Sequence, residues 1–207
     1  MKKFLTSIVF LIISLIVTAN DKLSRNNEND ESGFCSFLTN FDQFTKQSID
    51  ASIFYGRKLR ESDYGMPKID TNKFNEFIPF DNTLDCKKKH IVYRPGYKKE
   101  TEDIIVVGIV GFCKNSISEA NILVTYKKNG KIIDYEYIGL DGKNKYYELK
   151  KSANDQSLIY TQYSFKNTKQ LHSGKCNVSI YRITINTDGT IDKEVIKEYE
   201  DNLSIEL

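Results

Sequence analysis

The stretch NILVTYKKNGKIIDYEYIG, residues 121–139, decides the fold class of this 207-residue chain. At its centre, Asn129-Gly130 is the dipeptide preferred in a two-residue type I′ turn, because both positions need positive φ. Such a turn pairs Lys128 with Lys131 and fixes the register outward. Ile122, Val124 and Tyr126 then share a face with Ile133, Tyr135 and Tyr137. Thr125, Lys127, Asp134 and Glu136 line the other face, with Leu123, Ile132 and Ile138 as exceptions. One face is apolar and the other mostly wet, and a slip of one residue would invert them. Turn chemistry and side-chain pattern agree on a β-hairpin.

The same reasoning extends in both directions. Downstream, Asn177 to about Tyr199 reads as a second hairpin around Asn186-Thr187-Asp188-Gly189-Thr190. A two-residue Asp-Gly turn would set Ile183 against Glu194 and Ile185 against Asp192. A three-residue loop with Gly189 left-handed instead sets Ile185 against Ile191 and Tyr181 against Val195, and we adopt it. Ser157 to Phe165 makes a strand between the two hairpins. Upstream, His90–Arg94 and Ile104–Cys113 flank a loop containing Pro95-Gly96, with Arg94 facing Ile104. The unbroken run Ile104-Ile105-Val106-Val107 suggests a central strand covered on both faces. Further upstream, Phe34, Phe37, Leu38, Phe41 and Phe44 recur at offsets of three and four, which places them on one helical stripe. Residues 50–85 are broken by Gly56, Gly65, Pro67 and Pro79, and only Phe74, Phe77, Ile78 and Phe80 look core-directed. The expected fold is α+β: a short N-terminal helix, about Ser36 to Lys46, packed on a mostly antiparallel, twisted sheet of about seven strands.

The first nineteen residues carry a location rather than a fold. Lys2-Lys3, the apolar run Phe4–Val17 and Val17-Thr18-Ala19 match the three parts of a secretory signal peptide. The run is shorter than the roughly 20 apolar residues a spanning helix needs, so cleavage is expected rather than retention as an anchor. The division is then 1–19 signal peptide, 20–33 disordered leader and 34–207 one globular domain. Localisation is periplasmic or secreted, with no stable membrane insertion after cleavage. The chain holds 30 Lys+Arg and 28 Asp+Glu, and losing Lys2 and Lys3 with the signal leaves 28 of each. A nucleic-acid partner calls for a basic excess, so none is expected. No oligomeric state follows from composition.

Cys35, Cys86, Cys113 and Cys176 are an even set in an oxidising compartment, which favours disulfides over free buried thiols. They lack the short Cys-x-x-Cys spacing of a zinc site. With Arg94 facing Ile104, Cys86 and Cys113 lie within one residue of being opposite, so one bulge would join them. Cys35–Cys176 remains as the second pair.

Candidate chemistry is sparse. His90 follows Lys87-Lys88-Lys89 and reads as an exposed strand-edge residue. His172 could approach Cys176, but a Cys–His nucleophile needs a reduced thiol. Asp134 and Glu136 lie two apart on one strand face, roughly 7 Å by strand geometry, a separation a glycosidase pair could use. Alternating charge on a wet strand is the plainer reading. No metal or cofactor motif occurs. Tyr93, Tyr97, Tyr146, Tyr147, Tyr160 and Tyr163 exceed what one face of a small sheet must bury, and exposed tyrosines suit protein or sugar contact.

The segment ILVTYKKNGKIIDYEYIG (122–139), with YRITINTDGTI (181–191), resembles paired hairpins of small exported proteins and lipoproteins of Bacteroidota that carry a Y-x-K-x-G-K-x-I-D motif. FLTNFDQF and KFNEFI fall where those proteins have a short helix and a Phe-Ile element. The resemblance implies an exported chain and transfers no catalytic residue. This chain departs from the lipoprotein members in lacking a lipid-attachment cysteine.

The expected function is a non-enzymatic binding protein for an extracytoplasmic partner, such as an inhibitor or immunity-type protein. Candidate contacts are Tyr93 with the loop RPGYKK, 94–99 (Arg94, Tyr97), and the turn Lys127, Lys128, Lys131, with Tyr160 and Tyr163. The alternative is a carbohydrate- or cell-wall-associated module, with a glycan as partner. A third reading is a hydrolase using Asp134, Glu136 or His172.

Overall fold

The computed structural model describes residues 32–44, 67–79, 90–114, 119–141, 145–151, 157–166 and 173–204. The signal-peptide segment, Cys86, His172 and Phe80 therefore lie outside the described residues. Among the described residues there are eight antiparallel strands rather than about seven, and they form two four-stranded meanders rather than one sheet. The first holds β1 (Ile91–Glu100), β2 (Ile104–Cys113), β3 (Glu119–Lys127) and β4 (Ile132–Asp141). The second holds β5 (Lys145–Lys151), β6 (Leu158–Phe165), β7 (Ser173–Ile185) and β8 (Ile191–Ser204). The α+β description holds in this coarser form.

Helical segments cover one face of the first sheet. The first, α1, spans 32–38 and continues as a 3₁₀ stretch, Thr39–Phe44. It begins inside the segment assigned to a leader. Thr39 Oγ1 and Asn40 Nδ2 donate to the carbonyls of Ser36 and Phe37 at 2.8 and 2.7 Å. Such local bonds compete with the α-helical ladder for carbonyls, which accords with the tighter turn. The phenylalanine stripe packs as its spacing predicts, with Phe34, Phe37 and Phe41 all buried. A second segment, α2 (Thr71–Phe74), is N-capped by Asp70 and runs into a 3₁₀ turn, Asn75–Phe77. It inserts Phe74 and Phe77 beside Phe37, with ring centroids 5.7 and 5.3 Å away. Tyr126 on β3 donates its hydroxyl to the Phe77 carbonyl and so anchors this aromatic layer to the sheet.

The strand β2 alternates between two cores. Ile105, Val107 and Ile109 face the helical layer, while Ile104 and Val106 face the second sheet. Leu123 and Ile138 join that inter-sheet core with Tyr147, Leu149, Leu158, Tyr160 and Ile183. The face of the first hairpin expected to be wet is thus largely an internal one. Leu123 and Thr125 are fully buried, and only its margin, Lys127, is exposed.

Both hairpins form, with one change of turn. In the first, Gly130 N–H donates to Lys127 O and Lys127 N–H to Lys131 O, each at 2.9 Å, so the loop has three residues. Gly130 adopts φ +87°, the left-handed position that follows a type I turn. A bulge at Ile133 then restores the expected pairs, Thr125 with Asp134 through Ile122 with Tyr137. It also turns Ile132 to the helical side and Ile133 to the inter-sheet side. In the second hairpin Ile185 pairs with Ile191 and Tyr181 with Val195, around Gly189 at φ +90°, as the sequence pattern requires.

The expected loop at Pro95-Gly96 is instead the middle of β1. Arg94 pairs with Val110, not Ile104, and Cys113 pairs with Ile91. A bulge between Pro95 and Tyr97 absorbs Gly96 and switches faces, sending Tyr93 to the helical core and Tyr97 to the inter-sheet core. Proline is tolerated because β1 is an edge strand and needs no ladder bond on its outer side. Cys113 is disulfide-bonded, with its expected partner outside the described residues. Cys35 and Cys176 are free, so the Cys35–Cys176 pairing fails. Cys35 is exposed on α1 over the first sheet, whereas Cys176 is buried with Phe165 and Val178 in the second.

Candidate functional site

Three connections meet at one end of the stacked sheets: Thr101–Asp103 between β1 and β2, Lys128–Lys131 between β3 and β4, and Asn186–Thr190 between β7 and β8. The first and the third border a cleft of about 420 Å³ whose floor is Ile104, Val106 and Ile185. Its rim carries Lys99, Glu102, Asp103, Ser157, Thr184 and Asn186. A shallower recess of about 610 Å³ adjoins it, sharing Asp103, Ile104 and Thr187 and adding Lys127, Lys128, Asn129 and Asp188.

The rim is braced by hydrogen bonds between turns. Lys128 Nζ donates to Glu100 Oε1 at 2.7 Å and to Thr101 O at 2.6 Å, tying the second turn to the first. Thr125 Oγ1 donates to Gly189 O at 2.5 Å, and Ile191 N–H donates to Asp134 Oδ2 at 2.8 Å. These tie the third turn to the first hairpin. Within the third turn, Asp188 Oδ1 accepts from Thr190 N–H at 2.9 Å and from its hydroxyl at 2.7 Å. Those two donors hold the Asp188 carboxyl below its ordinary pKa. Gly130 lies against Phe34, where an added Cβ would come within 2.7 Å of the ring, so the second turn rests on α1.

Of the residues singled out from sequence, Lys127, Lys128 and Lys131 are exposed at this end, and Lys127 and Lys128 border the recess. The aromatic and arginine candidates are placed elsewhere. Tyr93, Arg94, Tyr97 and Tyr160 are at most 2% exposed and belong to the interior. Arg94 lies 5.2 Å from the Phe112 ring centroid rather than on a loop. Tyr147 is also buried, and Tyr146 and Tyr163 are half-buried with ring centroids 5.7 Å apart. Among the described tyrosines only Tyr135 and Tyr199, 37% and 39% exposed, stand out as large exposed apolar groups, and they lie on different sheets. Half of the tyrosine surplus, Tyr97, Tyr147 and Tyr160, thus lines an inter-sheet core that a single sheet does not have, while Tyr93 packs under the helical layer and Tyr146 and Tyr163 against Phe165, Cys176 and Val178.

The hydrolase candidates are engaged in packing the hairpins together. Asp134 holds the Ile191 amide, and Glu136 pairs with Lys193 at 2.7 Å. Cys176 is fully buried and its thiol pKa is pushed up by burial and by Asp201, which disfavours a nucleophilic thiolate. His90 is exposed just before β1. A separate buried cluster places Glu119, Asn121 and Tyr147 together between the sheets, with Tyr147 Oη donating to Glu119 Oε1 at 3.3 Å and accepting from Asn121 Nδ2. Among the described residues, no three His, Cys, Asp or Glu side chains are grouped to hold a metal ion. No described helix is long and apolar enough to cross a membrane.

The cleft was not legible in sequence because its parts are turns separated by dozens of residues. The one local signal was that Asp103, Lys128 and Asp188 each sit at a hairpin tip. No protein-family model, curated protein or solved structure matches the chain.

Proposed function

We propose that this chain is an exported, non-enzymatic binding protein whose contact surface is the rim built by the three turns. The observation that carries the reading is the bracing of that rim. Lys128 bridges to Glu100 and Thr101, Gly130 rests on Phe34, and Gly189 is held by Thr125. A contact loop already fixed in its bound shape loses little entropy on association. Loops clustered at one end of a β-scaffold are also where recognition concentrates. The apolar floor with lysines and carboxylates around it suits a polypeptide segment carrying both charges, the kind of partner an inhibitor or immunity-type protein engages. The signal-like first nineteen residues support a partner outside the cytoplasm.

The test is affinity capture of extracytoplasmic proteins on the immobilised chain, with wild type beside Lys127→Glu/Lys131→Glu. The expected result is one protein partner, bound at least about tenfold more weakly by the variant, the scale of a lost interfacial charge contact. Retention on a glycan array with no protein recovered would overturn the reading in favour of a carbohydrate module.

A further inference from the structure

The second sheet ends in β8, fourteen residues long, and beyond Asp192 every residue to Asn202 is exposed. Val195 and Ile196 are 52% and 45% exposed, and Tyr199 39%. Such an edge offers unpaired backbone groups to another strand. The other three edges are less open. Pro95 and a bulge interrupt β1, β4 is engaged by Lys193 and Ile191, and β5 has only seven residues.

The direction of the free groups follows from the ladder. Asn186 N–H bonds to Thr190 O, so the next pairs alternate, and Ile191, Lys193 and Val195 turn their backbone groups away from β7. The Ile191 amide confirms this, since Asp134 takes it from outside the sheet. A bulge at Ile196 shifts the alternation, so that Glu198 is the next outward residue. The free edge therefore begins at Lys193, and its sequence is Lys193-Glu194-Val195-Ile196-Lys197-Glu198.

We propose that β8 pairs antiparallel with β8 of a second copy of this chain, about a two-fold axis through Val195. With Ile196 bulged out, Val195 faces its own counterpart, Glu194 of one copy faces Lys197 of the other, and Lys193 faces Glu198. Every cross-strand charge pair is then opposite in sign, and both members of each pair lie on the same face. Val195, Lys193 and Glu198 are also the residues whose backbone groups point outward, so the hydrogen-bonding phase matches the charge phase. Antiparallel pairing across such a two-fold forms about six backbone hydrogen bonds. It also joins two four-stranded sheets into one continuous sheet. A strand of arbitrary sequence set against itself would place like charges opposite at some positions, which is destabilising.

The test uses sedimentation velocity on the purified full chain, up to about 100 μM, the range of weak homodimers. Wild type is expected to be a dimer. Glu194→Lys alone sets Lys against Lys, and Lys197→Glu alone sets Glu against Glu, so each variant is expected to dimerise at least about tenfold more weakly. Mixed in equal amounts, the two are complementary at both positions and should form a heterodimer. That restoration separates a lost contact from a lost fold. Wild type that stays monomeric throughout the range overturns the proposal. So does a dimer unaffected by either substitution, or a mixture that fails to associate while both variants keep the wild-type circular dichroism spectrum.

Discussion

The Cys176 thiol is surrounded by Phe165, Val178 and the half-buried Tyr163, and its pKa is raised by burial and by Asp201. Cys35 is exposed on α1, and Cys113 is already bonded. Thiol reactivity follows thiolate fraction and access. Iodoacetamide should accordingly label Cys35 in the native chain, Cys176 only after unfolding, and Cys113 only after reduction. Peptide mapping without reduction should find Cys113 linked to Cys86. Recovery of a Cys35–Cys176 peptide would contradict this assignment. Four cysteines do not make two bridges here for a spatial reason: Cys35 belongs to the helical layer and Cys176 to the second sheet.

Elements were legible where local chemistry left one solution. The register of β7 and β8 followed from Gly189 and from keeping Ile185 opposite Ile191. Between β3 and β4 the turn is one residue longer than Asn129-Gly130 alone indicates, yet a compensating bulge keeps Thr125 opposite Asp134. In contrast, Pro95-Gly96 mimics a turn, and only the knowledge that β1 is an edge explains why a strand passes through it. Likewise β5, KYYELKK, is hard to read in sequence because its lysines mask the alternation of Tyr147 and Leu149 toward the core. The docking of the second hairpin on the first rests on a few groups that can be probed. Gly189 has φ +90°, and an added Cβ would stand 2.6 Å from Ile133 Cδ1. Gly189→Ala is therefore expected to cost about 1–3 kcal/mol, from the left-handed backbone and the contact with Ile133. Urea denaturation would read this as a lower midpoint with an unchanged slope. A change below about 0.5 kcal/mol would mean that the turn is not seated as described.

At the scale of the whole molecule, the hidden feature is the second layer of β-sheet. Sequence showed β2 as covered on both faces but could not say what covered the far one. Stacking a second meander there buries Tyr97, Tyr147 and Tyr160, as the helical layer buries Tyr126 on the near face, and this burial has a consequence at alkaline pH. Burial pushes the phenols of Tyr97, Tyr126 and Tyr160 well above their ordinary value, and that of Tyr163 up to about 12. Below about pH 10, folded and unfolded chains both keep these protons and the contribution to stability is full. Above it the unfolded chain ionises while the folded one does not, so stability falls as pH rises. For Tyr97, Tyr126 and Tyr160, each at most 2% exposed, the combined loss reaches about 4 kcal/mol near pH 11, a large share of a typical domain's stability. Titration followed at 295 nm should show a fraction of the phenols ionising late and together with the loss of circular dichroism. If all phenols instead ionise near pH 10 with the fold intact, the cores that hold these tyrosines on the two faces of the first sheet are not closed to water.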